Sequence, residues 1–284
     1  MVEEQKGCLV LRAVRNLMPR DVSSALELSS AAGWNQTAGD WYRLLDLAPV
    51  GCRCVEDAGK VIATTTLLPY GTRLGWIGMV LTSSAYRRQG LARKLIEDAI
   101  ASAERCGIHT LKLDATEEGR TLYESLGFVV ENQIERWGRD GEESNSTIRI
   151  AGHAHSPFEE LCSLDAEAFG ASRKELLKLL ASAGNCEATS NGFVFSRPGR
   201  TARYLGPCVA RSKNAAMPLI TAHLERSVRA TRWFWDLFPS NPEAARCAES
   251  LGFTRRRVLW RMSRGEVMQN NDAMVYAIAG FELG

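Results

Sequence analysis

The sequence is poor in the features that would assign it to several large classes of protein. In its 284 residues no run of about eighteen apolar residues occurs, so no segment reads as a membrane span and no membrane partner is expected. The charged opening MVEEQKGC is followed by no apolar core with a cleavage site, which argues against a secretory signal and for the cytoplasm. An excess of one charge is also missing: the net charge is +2, so no nucleic-acid partner is expected. The basic run TRRRVLWRMSRG, Thr254 to Gly265, alternates with Val258, Trp260 and Met262 and reads as a strand with one solvated face. The eight cysteines (Cys8, Cys52, Cys54, Cys106, Cys162, Cys186, Cys208 and Cys247) form no C-x-x-C pair and read mostly as small buried hydrophobes. Histidine is scarce. His153 and His155, with Cys162 beyond, lie in a loop-like stretch without a second cluster, so no metal is expected; His109 opens a strand and is given no role. The Walker ending G-K-[ST] and the dinucleotide fingerprint G-x-G-x-x-G are absent as well.

What the chain does have is an internal repeat. YESLGFVVENQIERW (Tyr123 to Trp137) aligns without gaps on AESLGFTRRRVLWRM (Ala248 to Met262), sharing ESLGF. Upstream, LKLDATEEGRTL pairs with WDLFPSNPEAARC, WIGMVLT with YLGPCVA, and ARKLIEDAI with MPLITAHLE, with about three residues fewer in the second copy. The polar segment Gly138 to Arg149 separates the copies. The expected domains are therefore 8–137 and 150–284, joined by a linker over 138–149, with a large face shared between them.

Pattern gives the elements of the first copy. CLVLRAV suits a strand, MPRDVSSALELSSAAG a helix ended by Gly33, and AGDWYRLLDLAP a second helix closed by Pro49. GCRCVEDAGKVIATTTLLPYG carries a hairpin, and LGWIGMVLT the next strand. Leu91, Leu95, Ile96, Ala99, Ile100 and Ala103 then mark one face of a helix. HTLKLDA, EEGRTLYESLG and FVVENQIERW follow as strand, helix and strand. The order β-α-α-β-β-β-α-β-α-β is a mixed α/β layer structure.

Chemistry is concentrated at the turn before the long helix. In AYRRQGLARKLIEDAI, Arg87, Arg88 and Gly90 stand between a strand and a helix start, where unpaired N–H groups and the helix dipole favour an anion. Gly90 admits a phosphate close to the backbone, Ala92 keeps the next position small, and the arginines add charge-assisted hydrogen bonds.

VLTSSAYRRQGLARKLIEDAI followed by LDATEEGRTLYESLGF resembles motifs A and B of the GNAT superfamily of acyl-CoA-dependent N-acyltransferases, whose Arg/Gln-x-x-Gly-x-Gly/Ala signature falls on Arg87, Gly90 and Ala92. With the repeat, GWNQTAGDW near the start and VYAIAGFELG at the end, nearly the whole chain resembles a tandem GNAT acetyltransferase with a divergent second domain. The resemblance implies two GNAT folds in tandem, each a mixed, mostly antiparallel sheet flanked by helices, with 8–137 catalytic and 150–284 degenerate. It implies acetyl-CoA as co-substrate: its pyrophosphate on Arg87, Arg88, Gln89, Gly90, Leu91 and Ala92, and its pantetheine arm along Met79, Val80 and Thr82. The acyl carbonyl would lie where the strands of Gly78 and Asp114 part. Thr116 stands where the family often has a CoA-contacting asparagine. Tyr123 matches the tyrosine that protonates the leaving thiolate, and Asp114 is a candidate for the base or else a structural cap, with Glu117, Glu118 or a relayed water as alternatives. Trp34, Asn35, Trp41 and Tyr70 are candidates for the acceptor pocket.

The second copy has no counterpart of Arg87 or Gly90 in ARSKNAAMPLITAHL, and Ala248 replaces Tyr123, while Asn241 stands opposite Thr116. It is expected to wall the pocket or support the first copy. The function expected is acetyl-CoA-dependent N-acetylation of a primary amine on a small molecule, by direct attack in a ternary complex, in a monomer or homodimer. The same residues also suit an acyl-CoA-binding module without turnover, or transfer of a longer acyl group.

Overall fold

A computed structural model describes residues 12–141, 157–183, 185–225 and 231–284. Cys8 with the start of the expected first strand, most of the expected linker, and His153 and His155 lie outside these residues. The first half runs β1 (Val14–Asn16), α1 (Val22–Ala31), α2 (Ala38–Leu47), β2 (Cys52–Asp57), β3 (Lys60–Tyr70), β4 (Leu74–Thr82), α3 (Leu91–Arg105), β5 (Thr110–Ala115), α4 (Glu117–Glu124) and β6 (Val129–Arg139). This is the expected order. The second half repeats it from its helix pair: α5 (Phe158–Phe169), α6 (Lys174–Ala183), β7 (Asn185–Thr189), β8 (Gly192–Arg197), β9 (Arg203–Ala210), α7 (Lys213–Glu225), β10 (Trp233–Leu237), α8 (Pro242–Ser250) and β11 (Thr254–Gly265). A short β12 (Val275–Ala277) follows.

The repeat is visible in local geometry. Gly127 and Gly252 end α4 and α8 at φ 84° and 78°, and Phe128 and Phe253 each donate back to the helix, at Tyr123 O (3.1 Å) and Ala248 O (3.0 Å). Both are Schellman caps, which is why ESLGF recurs: the glycine supplies the left-handed residue and the phenylalanine buries itself behind it.

The halves do not close separately. The strands form one 12-stranded sheet in the order β1-β2-β3-β4-β5-β11-β6-β10-β9-β8-β7, with β12 on β9. Strand β11 of the second half lies between β5 and β6 of the first, antiparallel to both, and β6 pairs in turn with β10. The final strands of the two copies are thus exchanged. Most pairings are antiparallel; β4–β5 and β9–β10 are parallel. The basic run of β11, read as an ordinary half-solvated strand, is central to the sheet.

Each half keeps its long helix on one face: α3 buries Leu95, Ile96 and Ala99 against β3 and β4, and α7 buries Ala216 and Ile220 in its own cluster. The other face is common property. Trp41, Leu44, Tyr70 and Trp76 of the first half and Phe169, Leu176, Leu177 and Leu283 of the second belong to a single core cluster. At about 2 kcal/mol for each large apolar side chain buried, this shared face adds to the strand pairings that attach the halves. Among the described residues no helix is long and apolar enough to cross a membrane.

Candidate active site

Helix α3 starts on an unusual backbone. Arg88 (φ 60°) and Gly90 (φ 77°) are both left-handed, and Gly90 is the N-cap residue. A Cβ on Gly90 would meet no atom within 4 Å, so the conformation calls for glycine and the space beyond it is open. The first turn of α3 has no side-chain cap and no acidic residue, where helices ordinarily carry both. Arg87, Arg88 and Gln89 are exposed around it. Left-handed residues in such a turn point N–H groups into a shared concavity, and the free N–H groups at Leu91 and Ala92 extend it, so the turn can hold a phosphate-like anion.

Strand β4 leads from this turn to a cavity. On one side it pairs with β3 through a bulge, with Thr64 opposite Leu81, Thr66 opposite Gly78, and Met79 at φ 49°. On the other side it meets β5 at Leu74↔Thr110, Gly75↔Leu111 and Trp76↔Lys112, and no further. From Ile77 to Thr82 the β5-facing edge is open, so an extended ligand could add to it as a strand.

A partly open cavity occupies the divergence. Gly78, Met79 and Val80 line it from β4, Leu113 and Asp114 from β5, and Thr116 and Tyr123 from α4. Trp34, Asn35 and Gln36 close it from the α1–α2 connection. The remaining wall comes from Arg136 on β6, Arg257 and Leu259 on β11, and Phe281 and Glu282 near the end of the chain.

Tyr123 is buried against Phe128, ring centroids 6.1 Å apart and edge to face. Its hydroxyl bonds none of the described residues, and burial pushes the phenol well above its ordinary range, so it is protonated at neutral pH. Thr116 caps α4, its Oγ1 accepting from Gly119 N–H at 3.2 Å.

Asp114 does not fit the role of base. Its carboxylate is fully buried and accepts from both Arg261 Nε and Arg261 Nη2 at 2.9 Å. Burial raises its pKa, partly opposed by Arg261. What Asp114 exposes is backbone, because its side chain is wholly buried on Arg261. Glu117 accepts from Trp260 Nε1, and neither it nor Glu118 lines the cavity.

Two expected pocket residues are elsewhere. Trp41 is wholly inside the core with Nε1 on Ser29 Oγ. Tyr70 packs edge to face on Phe169 at 5.4 Å and donates to Leu283 O at 2.6 Å, joining the halves. Asn35 lines the cavity, but its amide belongs to the 201–202 turn: Nδ2 donates to Ala202 O, and Oδ1 accepts from Thr201 and Ala202. Trp41 thus serves the core and Tyr70 the joint between the halves, while Asn35 serves both joint and cavity wall.

Gln36, Arg136, Arg257, Leu259, Phe281 and Glu282 were not singled out from sequence. Arg136 is held bidentately by Asp236 at 2.7 and 2.6 Å. Glu282 accepts from Arg197 Nη2 at 2.8 Å and from Gln36 Nε2 at 3.0 Å. A Cβ on Gly78 would lie 3.0 Å from Glu282 Cα, so glycine lets the terminal segment rest on β4. The basic run on β11 was the available signal; its strand exchange was not.

The matching gap in the second half is filled. Beyond Arg203–Leu205, where β9 pairs with β10, its edge is taken by β12, with Val275 opposite Val209 and Ala277 opposite Cys208. Trp235 Nε1 donates to Tyr276 O (2.7 Å), and Asn241 Nδ2 to Ala273 O and Val275 O. The chain has added its own strand there.

A parted parallel strand pair, a bulged central strand and an open helix start define an acyltransferase of the GNAT class. The chain belongs to that family as two GNAT domains in tandem: the family model described as "Acetyltransferase (GNAT) family" matches residues 22–128, and that described as "Acetyltransferase (GNAT) domain" matches 161–277. An uncharacterized N-acetyltransferase of Bacillus subtilis (strain 168), YitH, is 27% identical over 70% of this chain and 73% of its own length. Human N-alpha-acetyltransferase 30 is 31% identical over 36% of this chain and 28% of its own. Among solved structures, an acetyltransferase from Pyrococcus horikoshii superposes with a TM-score of 0.84 at 18% identity, covering 100% of this chain and 99% of that one. A tandem GNAT protein from the clavulanic acid biosynthesis pathway gives 0.63 at 14%, covering 91% and 99%. At such identities the superpositions speak for the fold.

Proposed function

We propose that the protein acetylates the primary amine of a small molecule with acetyl-CoA, in a ternary complex at the cavity beside β4. The observation that carries this reading is the continuous path from the open start of α3, along the unpaired edge of β4, to Tyr123. The residues fit such a donor: Arg87, Arg88, Gln89, Gly90, Leu91 and Ala92 for its diphosphate, and Met79, Val80 and Thr82 for its pantetheine amides. Acetyl-CoA supplies an activated thioester. The protein holds it extended, offers β4 N–H groups near the bulge to the carbonyl oxygen, and excludes water with Trp34, Leu259 and Phe281. Tyr123 carries a proton to the departing sulfur; its raised pKa keeps the proton in place until a thiolate forms. Thr116 borders the same space. The second half contributes no second site in this reading, because β12 occupies the edge a donor would need.

Thiol release from acetyl-CoA with a panel of amines tests the reading. Tyr123→Phe should lower kcat about 100-fold or more with little change in KM for acetyl-CoA. Unchanged kcat across pH would remove Tyr123 from the mechanism.

A further inference from the structure

The charges around the cavity do not cancel. Arg136 is neutralised by Asp236, Glu282 by Arg197 and Asp114 by Arg261. Arg257 lines the same cavity, is exposed, and forms no ion pair or hydrogen bond among the described residues. Its neighbours in the basic run are engaged, Arg255 by Glu135 and Arg256 by Asp140. Arg257 stands directly opposite Arg136 in the β11–β6 register, and the two guanidiniums lie 5.3 and 4.5 Å from the ring of Phe281. Like charges facing each other across strands repel, so this pair favours an anion joining it.

An acceptor atom is spare as well. Gln36 Nε2 donates to Glu282, a carboxylate that can only accept, so the amide orientation is fixed. Gln36 Oε1 is then buried without a partner. The cavity therefore holds an unmatched cation, and an unmatched acceptor beside a carboxylate, with Phe281, Leu259 and Trp34 as apolar wall.

We propose that the acceptor is an amino acid or a close analogue, with its carboxylate bound by Arg257 and its primary amine set toward Gln36 and Glu282. This rests on reading the cavity as the site of N-acetylation. A guanidinium fork matches a carboxylate with two parallel hydrogen bonds, and a site built for that group rejects the analogue that lacks it. The transfer itself is ordinary: nitrogen bonds to the acetyl carbon, the carbon–sulfur bond breaks, nitrogen gives up a proton, and the sulfur leaves as CoA thiol. Arg257 is a specificity residue and takes no part in moving the proton.

The test compares amino acids with their carboxamides and decarboxylated amines in the thiol-release assay. Acids should exceed their neutral partners about 10- to 100-fold in kcat/KM. Arg257→Gln should abolish that preference by raising KM for the acids, and Arg257→Lys should restore part of it. Turnover with equal preference for acids and amides overturns the inference and leaves N-acetylation standing. Preference for a phosphate ester such as phosphoethanolamine overturns the carboxylate assignment. If no amine is turned over, the reading of N-acetylation fails, and calorimetric titration of an N-acetyl amino acid into CoA-loaded protein decides the inference. Binding lost in Arg257→Gln supports it; equal binding by both proteins overturns it.

Discussion

At Gly90 and Gly78 the absence of a side chain does two different things. Gly90 is left-handed with open space around it, so a larger residue meets strain from the backbone and intrudes where a diphosphate would lie. Gly90→Glu should cost about 1 kcal/mol of stability, yet weaken CoA binding by at least about tenfold through like charge at the helix start; calorimetry and thermal melts separate the two effects. Retained affinity would place the phosphate site elsewhere. Gly78 instead lets Glu282 approach β4. Gly90 was legible because its conformation is local: a left-handed glycine between a strand and a helix start depends on nothing far along the chain. Arg257 and Glu282 were not, since one is brought to the cavity by a strand crossing into the other half and the other by a terminal segment folding back over β4. Asp114 misled for a related reason. Its position at a strand end was right, but the partner that consumes it, Arg261, arrives on that same crossing strand.

At the scale of elements, α2 shows how a helix start was recruited to the joint. Thr37 and Asp40 form a capping box, with Asp40 Oδ2 accepting from Thr37 N–H at 2.8 Å. The same carboxylate also accepts from Arg43 at 2.6 Å and from Arg197 of β8 at 3.3 Å. Burial works against its charge, but Arg197 and Arg43 prevail and hold its pKa below the ordinary value of 3.8. A carboxyl depressed in the folded state stabilises above its unfolded pKa and loses that contribution as pH falls through the folded one. Asp40→Asn, which leaves Arg197 undercompensated, should therefore cost about 3 kcal/mol at pH 7. The gap between variant and wild type should narrow below about pH 4. Denaturant titrations at several pH values check this, and a gap independent of pH would sink the electrostatic account. The cap is readable in TAGD, because capping boxes are local. Arg197 as its partner is not, being separated from it by most of the chain.

For the molecule as a whole, the repeat describes how the sequence is organised, while the sheet describes what must fold together. The element order of the first copy follows from periodicity and turn residues, and its elements from α1 to β6 lie close to where their patterns place them, while β1 shares only Val14 with the strand expected over 8–14. Exchange of β6 and β11 leaves no trace in those patterns, because each strand buries the same faces whichever half supplies its neighbours. The consequence is energetic. Without the second half, β5 and β6 lose the strand between them, the shared core exposes Trp41, Tyr70 and Trp76, and the cavity loses Arg257, Phe281 and Glu282. Residues 1–141 expressed alone should therefore bind hydrophobic dyes and unfold without a sharp transition, as expected of a chain that has lost specific packing. The same piece mixed with residues 157–284 should recover a cooperative transition and thiol-release activity, since β11 can insert from a separate chain. A first half that melts cooperatively alone and binds CoA as the full protein does would show that the exchanged strand is dispensable and the halves are independent domains after all.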